Sequence, residues 1–391
     1  MERTQRTDRP VSRLATAALL AAVLLAAVAF AACSAESAPE AAVTLPAGVA
    51  DVAAAVATEQ VAEDPDDPAI WIHPTAPEQS LILGTNKVEA PGGALLVFGL
   101  DGKIRQTIGN LDRPNNVDVE YGLPLGGEAV DIAVLTERIQ QRLRVYRIEP
   151  DGGRLTEISS ENGLKVFEGA SGEEAAPMGI ALYRRPRDRA IFAIVGRKSG
   201  PAEGYLWQYR LEDDGAGKVK ATKVREFGGY SGKNEIEAIA VDDALGYVYY
   251  SDEGYGIRKW AADPDDPNAG QELAHFGAEG FEDDHEGIAI YARDDGTGYV
   301  ICTDQLDDNS EYQFYAREGK AGNPHDHSEL IKIVRGGADS TDGIEATSSA
   351  LGPQFPHGLM VAMNSGGKNF LVFRWEDVAS AGTPQLRIGT Q

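Results

Sequence analysis

Apolar and polar positions along the chain alternate in short runs of β type, and one such run recurs six times. Each copy is a strand headed by polar groups: Asp67-Pro68-Ala69-Ile70-Trp71, Asn116-Val117-Asp118-Val119, Met178-Gly179-Ile180-Ala181-Leu182, Glu237-Ala238-Ile239-Ala240-Val241, Glu286-Gly287-Ile288-Ala289-Ile290 and Asp342-Gly343-Ile344-Glu345-Ala346. A second apolar strand follows each: Leu81 to Asn86, Val130 to Thr136, Ile191 to Gly196, Tyr247 to Asp252, Tyr299 to Asp304 and Leu359 to Asn364. The third strands run Ala94 to Phe98, Arg142 to Ile148, Tyr205 to Leu211, Gly256 to Trp260, Tyr312 to Ala316 and Phe370 to Trp375. Turn residues such as Asp101-Gly102 and Asp151-Gly152-Gly153 lead towards a fourth.

Six units of roughly 55 residues predict an all-β chain: a six-bladed β-propeller of four-stranded antiparallel blades. Such units bury their faces only against their neighbours, so the six form one domain. The last unit has no outer strand after Trp375, and the segment Ala55 to Ala62 is expected to supply it and close the ring. The predicted division is a signal peptide over 1–32, a flexible linker over 33–54 and the propeller over 55–391.

The signal reading rests on Arg3, Arg6, Arg9 and Arg13 before an apolar run from Leu14 to Ala32. Ala29-Phe30-Ala31 fits a small-residue cleavage site, while Ala31-Ala32-Cys33 fits a lipoprotein box. The exported protein is then either anchored through a lipid on Cys33 or released, secreted or periplasmic. A plain transmembrane anchor is the bland alternative, weakened because alanine is only weakly apolar. Contact with a membrane is expected only through that lipid. The one other cysteine, Cys302, lies in an apolar strand and reads as packing.

Charge narrows the function. With 36 Lys+Arg against 61 Asp+Glu the formal net charge is −25, which argues against nonspecific nucleic-acid binding. Propellers line their axis with the first strand, so the polar heads converge at one end. The second strands end nearby at Asn86-Lys87, Glu137-Arg138, Arg197-Lys198, Asp252-Glu253, Asp304-Gln305 and Asn364-Ser365. Three successive units offer a cation and the next three an acid or amide. Lys87, Arg138 and Lys198 suit phosphate oxygens. Asp66, Asp67, Asp118, Glu237, Glu253, Asp284, Glu286 and Asp342 give converging carboxylates that would resist joint ionisation without a cation. Calcium, which takes six to eight oxygen ligands, fits such a set better than zinc, which wants His or Cys. His325-Asp326-His327 reads as a surface loop, His285 as a structural hydrogen-bonding residue, and Asp263 to Asp266 as a solvated turn. No P-loop, Gly-x-Ser-x-Gly elbow or zinc-protease motif is present in the sequence.

Assembled, these stretches resemble the β-propeller phytases, the calcium-dependent alkaline phytases. The resemblance is carried by Asp66-Asp67-Pro68-Ala69-Ile70-Trp71, Thr85-Asn86-Lys87, Asn115-Asn116-Val117-Asp118, Asp284-His285-Glu286-Gly287, Thr341-Asp342-Gly343-Ile344, Asn369-Phe370 and Trp375-Glu376, in order from about Glu63 to Ala379. It implies several calcium ions and stepwise removal of phosphate from phytate or another phosphate monoester. It also implies that Asp66, Glu237, Glu253, Asp284, Glu286 and Asp342 hold active-site calcium. Asp67, carbonyls near Pro68 and Val117, and the Asn364 side chain resemble a structural calcium site. Lys87, Asn115, Arg138 and Lys198 match phosphate-contacting positions, and Glu237 is the candidate general base. Val88, Met178 and Ser199 depart from the family pattern where a lysine, a tyrosine and an acid are usual. The protein is expected to be a monomer. A noncatalytic calcium-binding propeller and a propeller hydrolase such as a lactonase are the alternatives; a lactonase has no need of three aligned cations.

Overall fold

The computed structural model describes residues 48–389; the signal segment, Cys33 and most of the expected linker lie outside the described residues. Six small sheets carry almost all of the regular structure. From the inside outwards, blade 1 is Pro65–Trp71, Leu81–Asn86, Gly93–Gly99 and Ile104–Leu111, and blade 2 is Pro114–Leu125, Glu128–Glu137, Arg142–Ile148 and Leu155–Glu157. Blade 3 is Pro177–Arg184, Ile191–Arg197, Glu203–Asp213 and Val219–Gly229, and blade 4 is Ile239–Asp242, Tyr247–Asp252, Gly256–Ala261 and Glu272–Phe276. Blade 5 is His285–Ala292, Gly298–Asp304, Glu311–Ala316 and Leu330–Arg335. Blade 6 has three strands from its own unit, Ile344–Thr347, Leu359–Asn364 and Asn369–Arg374.

The fourth strand of blade 6 comes from the other end of the chain. Val56–Ala57 pairs antiparallel with Leu371 and Val372, and backbone bonds from Ala55, Thr58 and Val61 extend the seam. The innermost strands touch in sequence around the ring, and the sixth returns to the first. Apolar packing follows the same circuit. Trp71 and Val97 meet Val117 and Ala133, and, at the closing joint, Val361 and Phe370 meet Ile82 and Phe98. This six-bladed ring is the expected one.

Three local expectations change. Val49–Asp51, placed in the linker, forms a parallel strand along Ile333–Arg335 at the edge of blade 5. Asp263 and Asp265 are not merely solvated: Arg185 Nη1 reaches them at 3.1 and 2.8 Å, tying two loops together. His327 is buried rather than on a surface loop, with Nδ1 2.7 Å from the Ala316 carbonyl and Nε2 3.0 Å from Lys259 Nζ. Cys302 and His285 behave as read. Cys302 is fully buried, and burial pushes its thiol up to about 12. His285 Nε2 bonds the Gly277 carbonyl at 2.6 Å.

Candidate active site

One backbone contact, repeated in every blade, sets the site. The residue just after each second strand donates its N–H to the carbonyl of a residue preceding the innermost strand. The pairs are Lys87 to Asp64, Arg138 to Arg113, Lys198 to Ala176, Glu253 to Glu235, Gln305 to Asp284 and Ser365 to Asp339, at 2.7 to 3.2 Å. These six tips are therefore equivalent. The residue before each tip points the other way and holds the loop. Asn86 Oδ1 accepts from the Glu63 and Asp64 N–H groups, Glu137 Oε1 from Asp112, and Asp304 from Glu282 and Asp283. Alternation along a strand makes one residue scaffold and the next functional.

The strand heads reach the site by a different device. The register of the innermost strand slips between Pro65 and Pro68, Pro114 and Val117, Pro177 and Ile180, and His285 and Ile288. Each slip is a β-bulge, which frees residues from pairing and re-aims their side chains. Asp66, Asn115 and Glu286 occupy bulges. Hydroxyls from the preceding blade pin two of them: Thr85 Oγ1 donates to the Asn115 carbonyl at 2.7 Å and Ser251 Oγ to that of Glu286 at 2.8 Å. Glu237 and Asp342 differ from expectation in preceding their strands, which start at Ile239 and Ile344. Gly179 leaves room for Glu237: a Cβ there would meet the Glu237 carbonyl oxygen at 1.7 Å.

These elements bring Lys87, Arg138, Lys198, Glu237, Glu253, Asp284, Glu286 and Asp342 to one open pocket of about 270 Å³. Asp66 and Asn115 lie buried beside it. Lys87 Nζ contacts Asp66, lies 3.0 Å from Asp342 Oδ2 and 3.6 Å from Glu237 Oε1. Arg138 Nη2 lies 3.9 Å from the same Glu237 oxygen, to which the Asn115 amide donates. Lys198 pairs with Glu235, Gln305 donates to Asp342, and Asn234 Nδ2 donates to Asp284 at 2.6 Å. Glu235, Gln305, Asn234 and Arg113 also belong here, and of these only Gln305 follows from the strand pattern, as a tip.

Electrostatics divide the pocket. Burial pushes the Glu237 carboxyl up, but Lys87, Arg138, Asn115 and Lys198 outweigh it and hold the group below its ordinary value. Burial and the neighbouring Glu237 and Asp284 charges raise Glu253 to about 8. Glu286 and Asp66 are raised well above the carboxylate range, burial being the main cause in each. Burial outweighs its acidic neighbours in lowering Lys198, whereas Asp66, Glu237 and Asp342 overcome burial and raise Lys87.

Carboxylate oxygens of Glu237, Glu253 and Glu286 lie within 4.8 Å of one another, a cluster that could hold a metal ion. Asp66 Oδ2, Glu253 Oε1 and Glu286 Oε2 are buried and accept no hydrogen bond. Buried acceptors left bare cost free energy, and a cation among them removes both that cost and their mutual repulsion. An oxygen-only donor set suits a hard cation.

Not every expected ligand comes here. Asp67, Pro68, Val117 and Asp118 line a separate chamber of about 210 Å³ on the axis, with Glu345. Asp67 Oδ2 accepts the Val117 N–H at 2.9 Å. Asn364 Nδ2 donates to Asn369 at 2.8 Å and its Oδ1 accepts the Asp339 N–H at 3.4 Å. Asp118, grouped with the converging acids, spends both oxygens on the N–H groups of Val119 and Leu182.

The family model described as Phytase matches residues 11–390 of this chain. A curated relative, the 3-phytase of Bacillus subtilis (strain 168), is 33% identical over 328 residues, which span 80% of this chain and 80% of the relative. Among solved structures, a crystal structure of BBS1N in complex with ARL6DN, soaked with lead, covers 84% of this chain and 81% of its own at 12% identity. Its TM-score of 0.40 is too low to bear on function.

Proposed function

This chain belongs to the phytase family and is a phosphoric monoester hydrolase, and on that premise we propose that phytate is its substrate and calcium its metal. The observation that carries the reading is the division of one pocket between Lys87, Arg138 and Lys198 on one side and bare, buried carboxylates on the other. Glu237, Glu253 and Glu286 would hold calcium, with Asp66, Asp284 and Asp342 around them; Asp67 with the Pro68 and Val117 carbonyls would hold a structural ion. When bound, calcium supplies positive charge against the phosphate and polarises water.

The protein groups do the rest. Lys87 and Arg138 flank Glu237 and are placed to take phosphoryl oxygens, with Lys198 on the adjoining blade. Their charges stabilise the negative charge that gathers on those oxygens in the transition state. Glu237, kept ionised by the same cations, is the carboxylate placed to accept a proton from water as general base. Asn115 fixes its orientation through the amide hydrogen bond.

The test is phosphate release from phytate and from p-nitrophenyl phosphate, with calcium and with chelator, in the wild type and Glu237→Gln. The reading expects release from phytate that collapses in both the chelated and the variant enzyme. Release that survives both would overturn it. Export is part of the proposal, on the Arg-rich start and the apolar run to Ala32. The intact mass of the mature protein distinguishes a lipid on Cys33 from simple cleavage.

A further inference from the structure

The segment that carries Glu237 lies outside the regular strands: the outer strand of blade 3 ends at Gly229, and the inner strand of blade 4 starts only at Ile239. In blades 1, 2, 3 and 5 a bulge within the paired inner strand seats the strand head. The pairing of blade 4 runs unbroken from Ile239 with Tyr250 to Asp242 with Tyr247, and so stops short of Glu237. Two backbone bonds flank Glu237, from Ser251 to Ala238 and from Glu253 to Glu235, both at 3.1 Å. The bend before them, which leads to Asn234 and Glu235, is held by a side chain instead.

That side chain is Asp252, the fully buried residue just before the tip Glu253. Its Oδ1 accepts the Ser231 hydroxyl at 2.6 Å, and its Oδ2 accepts the Ser231 N–H and Arg258 Nε, each at 2.8 Å. Ser231 Oγ in turn accepts the Lys233 N–H at 3.2 Å, so one carboxylate closes the whole bend over 231–233. Arg258 is itself fixed. Its Nη1 reaches Glu272 in the outer strand at 2.5 Å, and its guanidinium lies 4.4 Å from the centre of the Tyr255 ring, which stacks on His275. Charge-assisted bonds in a buried place leave the carboxylate one orientation. Downstream of the bend the Glu235 N–H donates to Glu253 Oε2 at 3.0 Å, and Glu253 belongs to the carboxylate cluster with Glu237.

We propose that Asp252, locked by Arg258, is a positioning residue for the hydrolysis: through the segment 231–235 it sets Glu237 and Glu253 relative to one another. Buried and engaged by protein donors, it acts without touching the substrate. This rests on the phosphatase reading above and extends the site to an ion pair behind the tip of blade 4.

The experiment measures kcat and KM for phytate at saturating calcium in Asp252→Asn, Ser231→Ala, Ser231→Thr and the wild type. It also follows hydrogen–deuterium exchange across 231–237 in the calcium-free proteins. Asp252→Asn is expected to lower kcat about 10²-fold, as for a catalytic group displaced by about 1 Å, with KM changed by less than about twofold. That substitution leaves the buried Arg258 charge without its partner and can unfold the blade. Ser231→Ala keeps the ion pair and loses one hydrogen bond, so kcat should fall about fivefold at unchanged Tm. Ser231→Thr keeps the hydroxyl and should restore wild-type kcat. Wild-type kcat in Ser231→Ala, or a loss confined to KM, overturns the assignment. If the wild type releases no phosphate from phytate, the phosphatase reading fails by itself. Exchange then decides the positioning role: faster exchange across 231–237 in Ser231→Ala supports it, and exchange equal to wild type refutes it.

Discussion

Lys87 Nζ lies 3.0 Å from Asp342 Oδ2 across the joint between blades 1 and 6, although 255 positions separate the two residues. The ammonium also touches Asp66 and faces Glu237, so one positive charge is shared among carboxylates from three blades. Lys87→Met should lower kcat on phytate by about 10²–10³-fold, the range found on losing one strong transition-state donor. Initial rates at saturating calcium check this. A variant with wild-type kcat would remove Lys87 from the chemistry.

Gly179 shows how tightly the blades are set. With the Glu237 carbonyl 1.7 Å from where a Cβ would sit, Gly179→Ala must shift the backbone that sets Glu237 against Asn115 and Lys87. Displacing a catalytic group by about 1 Å costs on the order of 10²-fold. Catalytic efficiency should fall by that much while the protein stays folded by circular dichroism. Full activity would show that the Glu237 position is not critical.

Calcium should stabilise the native ring, because the folded chain alone assembles the acids. A ligand at a hundredfold excess over its Kd contributes about 2.7 kcal/mol. Tm should rise with free calcium and fall on chelation. Glu286→Gln, which removes a charge from the three-carboxylate cluster, should shrink that rise. A calcium response identical in Glu286→Gln and wild type would place the ion elsewhere.

His327 predicts a pH effect far from the site. Burial, then Lys259, depress its imidazole from the ordinary 6.5 to about 4, while the Ala316 carbonyl works the other way. The unfolded chain takes up a proton near pH 6.5, whereas the folded chain resists it until about 4. The stability contributed by neutral His327 is therefore complete above 6.5 and is lost as the pH falls towards 4. His327→Gln should flatten that part of the urea-denaturation profile relative to wild type. Parallel profiles for the two proteins across this window would refute the assignment.

Much of this was legible in the sequence. The six strand heads, the second strands and the tips Lys87, Arg138, Lys198 and Glu253 follow from a pattern two residues in period, which each blade needs for its own burial. The borrowed strand Val56–Ala57 follows from a sixth unit one strand short. The resemblance supplied roles, and the equivalent backbone bonds at the tips supply the geometry behind them.

What the sequence by itself determined was the number of blades and which residues form the tips after the second strands, because both depend on neighbours close along the chain. Only the tertiary structure decided that Asp118 turns its carboxylate to the Val119 and Leu182 N–H groups while Arg113 and Glu235 come to the pocket. Bulges re-aim strand heads, and cross-blade bonds such as Thr85 to Asn115 fix which heads meet. Those contacts join residues distant in the chain, and no local pattern of apolar and polar positions encodes the distance between them.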